Sequence, residues 1–164
     1  MKRYGLRSVL VLLASLLAAC SSSFDQQWKD AGLGKGHATR WDGQWTSGKN
    51  VYANGVFHHG RLRCVLVEQP DRSLEAHFRA NWLIFSGNFD TALQPVLAGP
   101  RRRNVRKYEG THDLPAVYGG TYHYRATIEG DRFLTHYSSS YDVGTFDLHR
   151  EKMCKDCFPP HAEH

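Results

Sequence analysis

The nine residues Leu74 to Trp82, "LEAHFRANW", decide the fold. Leu74, Ala76, Phe78, Ala80 and Trp82 alternate with Glu75, His77, Arg79 and Asn81, a period of two rather than three and a half. Successive side chains on a strand point to opposite faces, so this is a strand with one dry face and one wet face. "TYHYRATIE" repeats the pattern: Tyr122, Tyr124, Ala126 and Ile128 take the dry side, and His123, Arg125, Thr127 and Glu129 the wet one.

Working outward, turn signals punctuate similar runs: "QPDRS" after Glu68, "AGPRRRN" from Ala98 to Asn104, and "EGDR" from Glu129 to Arg132. About eight strands are expected, starting near Arg40, Arg61, Ser73, Ile84, Asn104, Gly120, Arg132 and Val143. Near-even spacing in hairpin order, with no long helical pattern between, predicts an all-β, antiparallel, up-and-down barrel of about eight strands, which removes exposed edges. A β-sandwich of two sheets is the alternative.

The chain divides by composition. Val9 to Ala19 is an apolar run behind Lys2, Arg3 and Arg7, about half the 20 residues a membrane-spanning helix needs. Basic start, short apolar run and small terminal residues predict a signal peptide over residues 1–19. Residues 20–38 read as a tether, in which Phe24 to Ala31 can form a short helix with Phe24 and Trp28 on one face. The barrel domain is expected over residues 39–150, with a polar tail carrying Cys and His over residues 151–164. Removing nineteen residues from 164 leaves 145, enough for one domain with a real core. The leader takes three cations and no acid with it, so the formal charge falls from +5 to +2. That is a weak basis for a nucleic-acid partner, and none is expected.

Two resemblances follow. Leu17-Ala18-Ala19-Cys20 resembles the lipobox of bacterial lipoproteins. The likeness implies cleavage before Cys20, acylation of that cysteine and a membrane partner held through the lipid, which anchors stably because several acyl chains act together. Ser21 stands where an aspartate signals inner-membrane retention, so the likeness implies an outer-membrane protein facing the periplasm. Gly43-Gln44-Trp45 resembles the G-x-W that begins the first strand in lipocalins and their calycin relatives. There the tryptophan plugs the closed end and an arginine from the last strand stacks across it. In "VGTFDLHR", Gly144, Phe146, Leu148 and Arg150 share a face, so Trp45 and Arg150 are the expected closed-end pair. The other lipocalin signature segments are absent. The pattern "WDGQW…GRLRCVLVE…AHFRANW…FSG" also resembles a group of small secreted bacterial proteins, a likeness that implies no activity.

Candidate sites are few. Small residues among large ones on the strands (Ala76, Ala80, Ala126 and Gly87) leave room for a small apolar or amphipathic ligand, with Phe78, Trp82, Tyr122 and Tyr124 as its lining. The other reading is a non-catalytic structural or interaction protein with a filled barrel. Cys64 falls beside Leu62 and Leu66 and is expected to be buried. Cys154 and Cys157, in "CKDCFPP", are expected to form a disulfide, pairing of either with Cys64 being the other option. Phe158-Pro159-Pro160 cannot begin the helix that activates a redox CxxC. His161 and His164 follow, but structural zinc sites space their ligand pairs well apart, and no metal is expected. No nucleotide or hydrolase motif occurs, so neither a cofactor nor an enzyme is expected. Ser, His and Asp meet in "HYSSSYD", but a serine run reads as a turn. "PRRRNVRK" is a basic hairpin suited to solvent or to anionic lipid head groups.

Overall fold

A computed structural model describes residues 24–34, 37–50, 58–82, 85–97, 104–116 and 120–152. The leader, Cys20, the pair Cys154 and Cys157, and Arg101 to Arg103 lie outside the described residues.

Eight strands are present: β1 Ala38–Asn50, β2 His58–Glu68, β3 Leu74–Trp82, β4 Phe85–Pro95, β5 Val105–Asp113, β6 Thr121–Glu129, β7 Arg132–Ser138 and β8 Asp142–Arg150. Each begins within three residues of the start read from the sequence. They form a closed antiparallel barrel in chain order, with β8 returning to pair with β1. The chain is therefore an up-and-down barrel and not a sandwich.

Alternation sorts the side chains. Trp41, Trp45, Leu62, Cys64, Phe78, Tyr124, Phe133, Phe146 and Leu148 are buried in one core inside the barrel. Small residues stand opposite large ones. Gly60 pairs with Trp45 across β1 and β2, and a β-carbon there would sit 2.6 Å from the indole nitrogen. A β-carbon at Gly144 would sit 2.5 Å from the Tyr137 ring. Glycine is needed at both places for space, because barrel interiors match small to large to reach native packing density.

The wall is uneven. β1 and β8 pair through nine residues a side, with an irregularity between Ser47 and Lys49. β4 pairs with β3 from Leu93 through Phe85, yet with β5 only at Gln94–Glu109 and Pro95–Tyr108. One further bond runs from Val96 N to Lys107 O at 2.9 Å.

A helix, α1, covers residues 24–32 and is capped by Gly34 at φ 67°. It packs Phe24 and Ala31 against Val65 on the outside of β2, with Trp28, Ala38 and Val67 around them. The short helix expected over Phe24 to Ala31 is thus present, and it is packed on the barrel. A helix this short is marginal alone, and here the barrel wall supplies the apolar surface that holds it.

Candidate functional site

The candidate ligand site was expected inside the barrel. Its centre is occupied by a continuous set of rings. Phe146 on β8 is the hub: its ring lies 5.0 Å from Tyr137, 5.4 Å from Phe78, 6.0 Å from Phe89 and 6.2 Å from Tyr124, centroid to centroid. Phe78 and Phe89 stack at 4.8 Å. These are favourable aromatic separations, each adding about 0.5–1.5 kcal/mol to the area buried. Ala76, Ala80 and Ala126 are buried in the same core as these rings.

Among the expected lining residues, Phe78 and Tyr124 belong to this packed set and are buried. Burial also pushes the Tyr124 hydroxyl well above the ordinary tyrosine range. Tyr122 is half-buried and packs at 6.0 Å on Tyr137 and 6.5 Å on Tyr124. Trp82 ends β3, where its backbone pairs with Phe85. The structure therefore brings Phe78, Tyr122 and Tyr124 into one aromatic network.

Next to that network is a polar cluster that sequence reading missed. The Asp142 carboxylate accepts from Ser47 Oγ at 2.6 Å and from the Tyr137 hydroxyl at 2.9 Å. The Tyr137 hydroxyl is also 3.2 Å from the Thr46 carbonyl. Burial first, then the Asp142 charge, pushes this tyrosine far above its ordinary pKa, so it stays protonated and donating. The three residues tie β1, β7 and the start of β8 together. The arrangement acts as a latch between the strands. The residues of "HYSSSYD" do not assemble as a triad: His136 is exposed, and Ser139 Oγ accepts from the Tyr141 and Asp142 backbone amides in the turn. The hydroxyls of Thr91 and Thr135 are buried with no hydrogen-bond partner.

The closed-end pair needs correction. Arg150 stacks over Trp41, 4.9 Å from guanidinium carbon to ring centroid, and not over Trp45. The register decides it: β8 sets Arg150 opposite Trp41 and Phe146 opposite Trp45. Four residues on, Trp45 sits about 13 Å further along β1, where its indole N–H donates to the Asn81 carbonyl at 3.2 Å. Trp41 is the tryptophan at the arginine end, edge-on to Phe133 at 5.8 Å and donating to Thr39 Oγ1 at 2.9 Å.

On the outside, three arginines from three strands meet α1. Arg79 lies 4.6 Å over Phe24, Arg63 lies 5.3 Å over Trp28 and 5.7 Å over Phe24, and Arg40 lies 5.2 Å over Trp28. Arg79 also bonds Asp25, and Arg40 Nε donates to the Trp28 carbonyl at 2.7 Å. Burial, followed by the charges of Arg79 and Arg61, lowers the pKa of Arg63. Between the end of α1 and the Arg150 end of the barrel runs a groove of about 940 Å³ bordered by Lys29, His37, Glu68, Arg150, Glu151 and Lys152. Both signs of charge line it.

Cys64 is a free, fully buried thiol whose pKa is driven well up by desolvation, the form of a core residue and not of a nucleophile. His77 stands on the outer face and meets Asp90 at 2.9 Å, while His123 and His136 are exposed. Among the described residues, no three His, Cys, Asp or Glu side chains are placed to hold a metal ion. No helix among them is long and apolar enough to cross a membrane. No family model matches the chain, and no curated protein and no solved structure matches it.

Proposed function

We propose that this protein is a lipid-anchored component of the bacterial cell envelope, held at the outer membrane through Cys20 and facing the periplasm, whose filled barrel works through its outer surface and performs no catalysis. The anchor rests on the sequence from Leu17 to Cys20 behind a short apolar run. The filled interior rests on one observation: Phe146 touches rings from β3, β4, β6 and β7, so the middle of the barrel is aromatic side chain. A cavity that holds a drug-sized ligand needs about 300 Å³ or more of connected space, and the rings gathered on Phe146 support the reading that the barrel's middle does not offer it.

Native mass spectrometry of protein extracted from its own membrane tests both halves. The expected species is the chain from Cys20 carrying its acyl groups and nothing else. A second reading, a carrier for a small apolar or amphipathic molecule, is favoured by Tyr122, whose half-buried ring extends the aromatic network toward the end of the barrel. A stoichiometric apolar molecule released on unfolding would replace the filled-barrel reading with that one. Unchanged detergent partitioning and unchanged mass in Cys20→Ser would remove the anchor.

A further inference from the structure

We infer that α1 is a clamp that holds the barrel side-on against the lipid bilayer, with the β2–β3–β4 wall nearest the head groups. This rests on the proposed anchor at Cys20 and adds the face and the distance.

The argument is one of reach. If residues 20–38 were a free tether, eighteen fully extended residues would let the barrel stand about 60 Å from its anchor, in any orientation. The helix removes that freedom. Phe24 is buried against the barrel, and the chain from Phe24 to Ala31 is fixed by Val65 and the three stacked arginines. Only four residue steps separate Cys20 from Phe24, at most about 14 Å.

That short link emerges at a defined place. Phe24 lies under Arg79 of β3, whose guanidinium also bonds Asp25 and, at 2.9 Å, Asn88 of β4. The bilayer surface is therefore within reach of the outer faces of β2, β3 and β4, and the far wall, carrying His136 on β7, is turned away. The near wall has the right chemistry for a head-group layer. Asp25 and Gln26 on α1 and Arg61, Ser86 and Asn88 on the wall are exposed and polar, so these residues can rest among charged, hydrated head groups.

The experiment uses the full acylated protein reconstituted in phospholipid vesicles, with a fluorophore introduced through a non-canonical amino acid in place of Ser86 or of His136. Lipids carrying a nitroxide on the head group report proximity at short range. Intact mass confirms acylation first. The expected result is quenching several-fold stronger from position 86 than from position 136. Phe24→Ser with Trp28→Ser, which detaches α1 while circular dichroism shows the barrel folded, should bring the two close together. Equal quenching at both positions in the acylated parent overturns the clamp and leaves the anchor standing, as does a difference that survives release of α1. Absence of acyl chains overturns both.

Discussion

The two seams of the barrel wall differ in an unexpected direction. β1 and β8, the strands furthest apart in sequence, share nine paired residues, and their seam is reinforced by Thr46 Oγ1 to Thr145 Oγ1 at 2.7 Å, by Ser47 to Asp142 and by Arg150 on Trp41. β4 and β5, neighbours in sequence, share two. A loop already keeps β4 and β5 close, whereas only side chains and ladder bonds bring β1 to β8. The weak seam also has a local cause. β5 reads "VRKYEGTHD", and after Tyr108 its inward positions are Gly110 and His112, with nothing large and apolar to bury. Strand pairing follows side-chain packing, so the ladder stops where the packing does.

That contrast is most directly broken at Phe146. Phe146→Ala on the strong seam should cost about 3–5 kcal/mol, because four facing rings lose their common neighbour. Thr111→Ala, on the outer face of β5 at the weak seam, should change stability by less than about 0.5 kcal/mol. Urea melts of both variants measure the gap, and similar losses would show that the two seams are equally important.

The buried threonines sharpen it. Thr135 Oγ1 on β7 is fully buried and unpaired, so Thr135→Val should stabilise by about 1–2 kcal/mol once the stranded hydroxyl is gone. Thr91 Oγ1 is likewise unpaired but borders a cleft of about 240 Å³ between β4 and β5, lined also by Asp90, Thr111 and His112. A water with such partners can satisfy it there, so Thr91→Val should gain less than about 0.5 kcal/mol. Equal gains in thermal melts would mean that the open seam is as dry as the core.

The smallest effect concerns the end of the strong seam. Arg150 is partly exposed, and its stack on Trp41 should be worth about 0.5–1 kcal/mol. A double-mutant cycle with Trp41→Leu and Arg150→Met should return that coupling. The same cycle with Trp45→Leu should return below about 0.3 kcal/mol, the value for independent sites. A reversed order would restore the pairing expected from the G-x-W likeness.

Much of this architecture is legible in the sequence, and the failures share a cause. Alternation in "LEAHFRANW" and "TYHYRATIE" places side chains on one face or the other within a strand, so the eight strands and the burial of Phe78 and Cys64 follow from it. It says nothing of which residue lies across the ladder. Trp41 and Trp45 share a face, and only the register of β8 selects Trp41 for Arg150. Arg40, Arg63 and Arg79 look like three separate wet-face residues on three strands until pairing draws them under one helix. The latch at Asp142 depends on Ser47, 95 residues away. One signal was present and unread: the poor apolar pattern of β5 after Tyr108 foretells the weak seam.

The closing seam also bears on how the protein is made. Thr46 and Thr145 meet across 99 residues of chain, so β1 has no partner on its β8 side until nearly all of the domain has been delivered. Hairpins such as β6–β7 can form as they emerge, but closure must wait for the last strand, and contacts of such long range are the slow ones. If the protein faces the periplasm as proposed, Cys64 is until then an accessible thiol in a compartment that oxidises thiols. Sealing the cylinder removes it from chemistry by putting Trp41, Phe78 and Leu66 around it. On that reading, closure of the wall races capture of one sulfur, and every substitution that slows the meeting of β1 with β8 lengthens the time during which that sulfur can react.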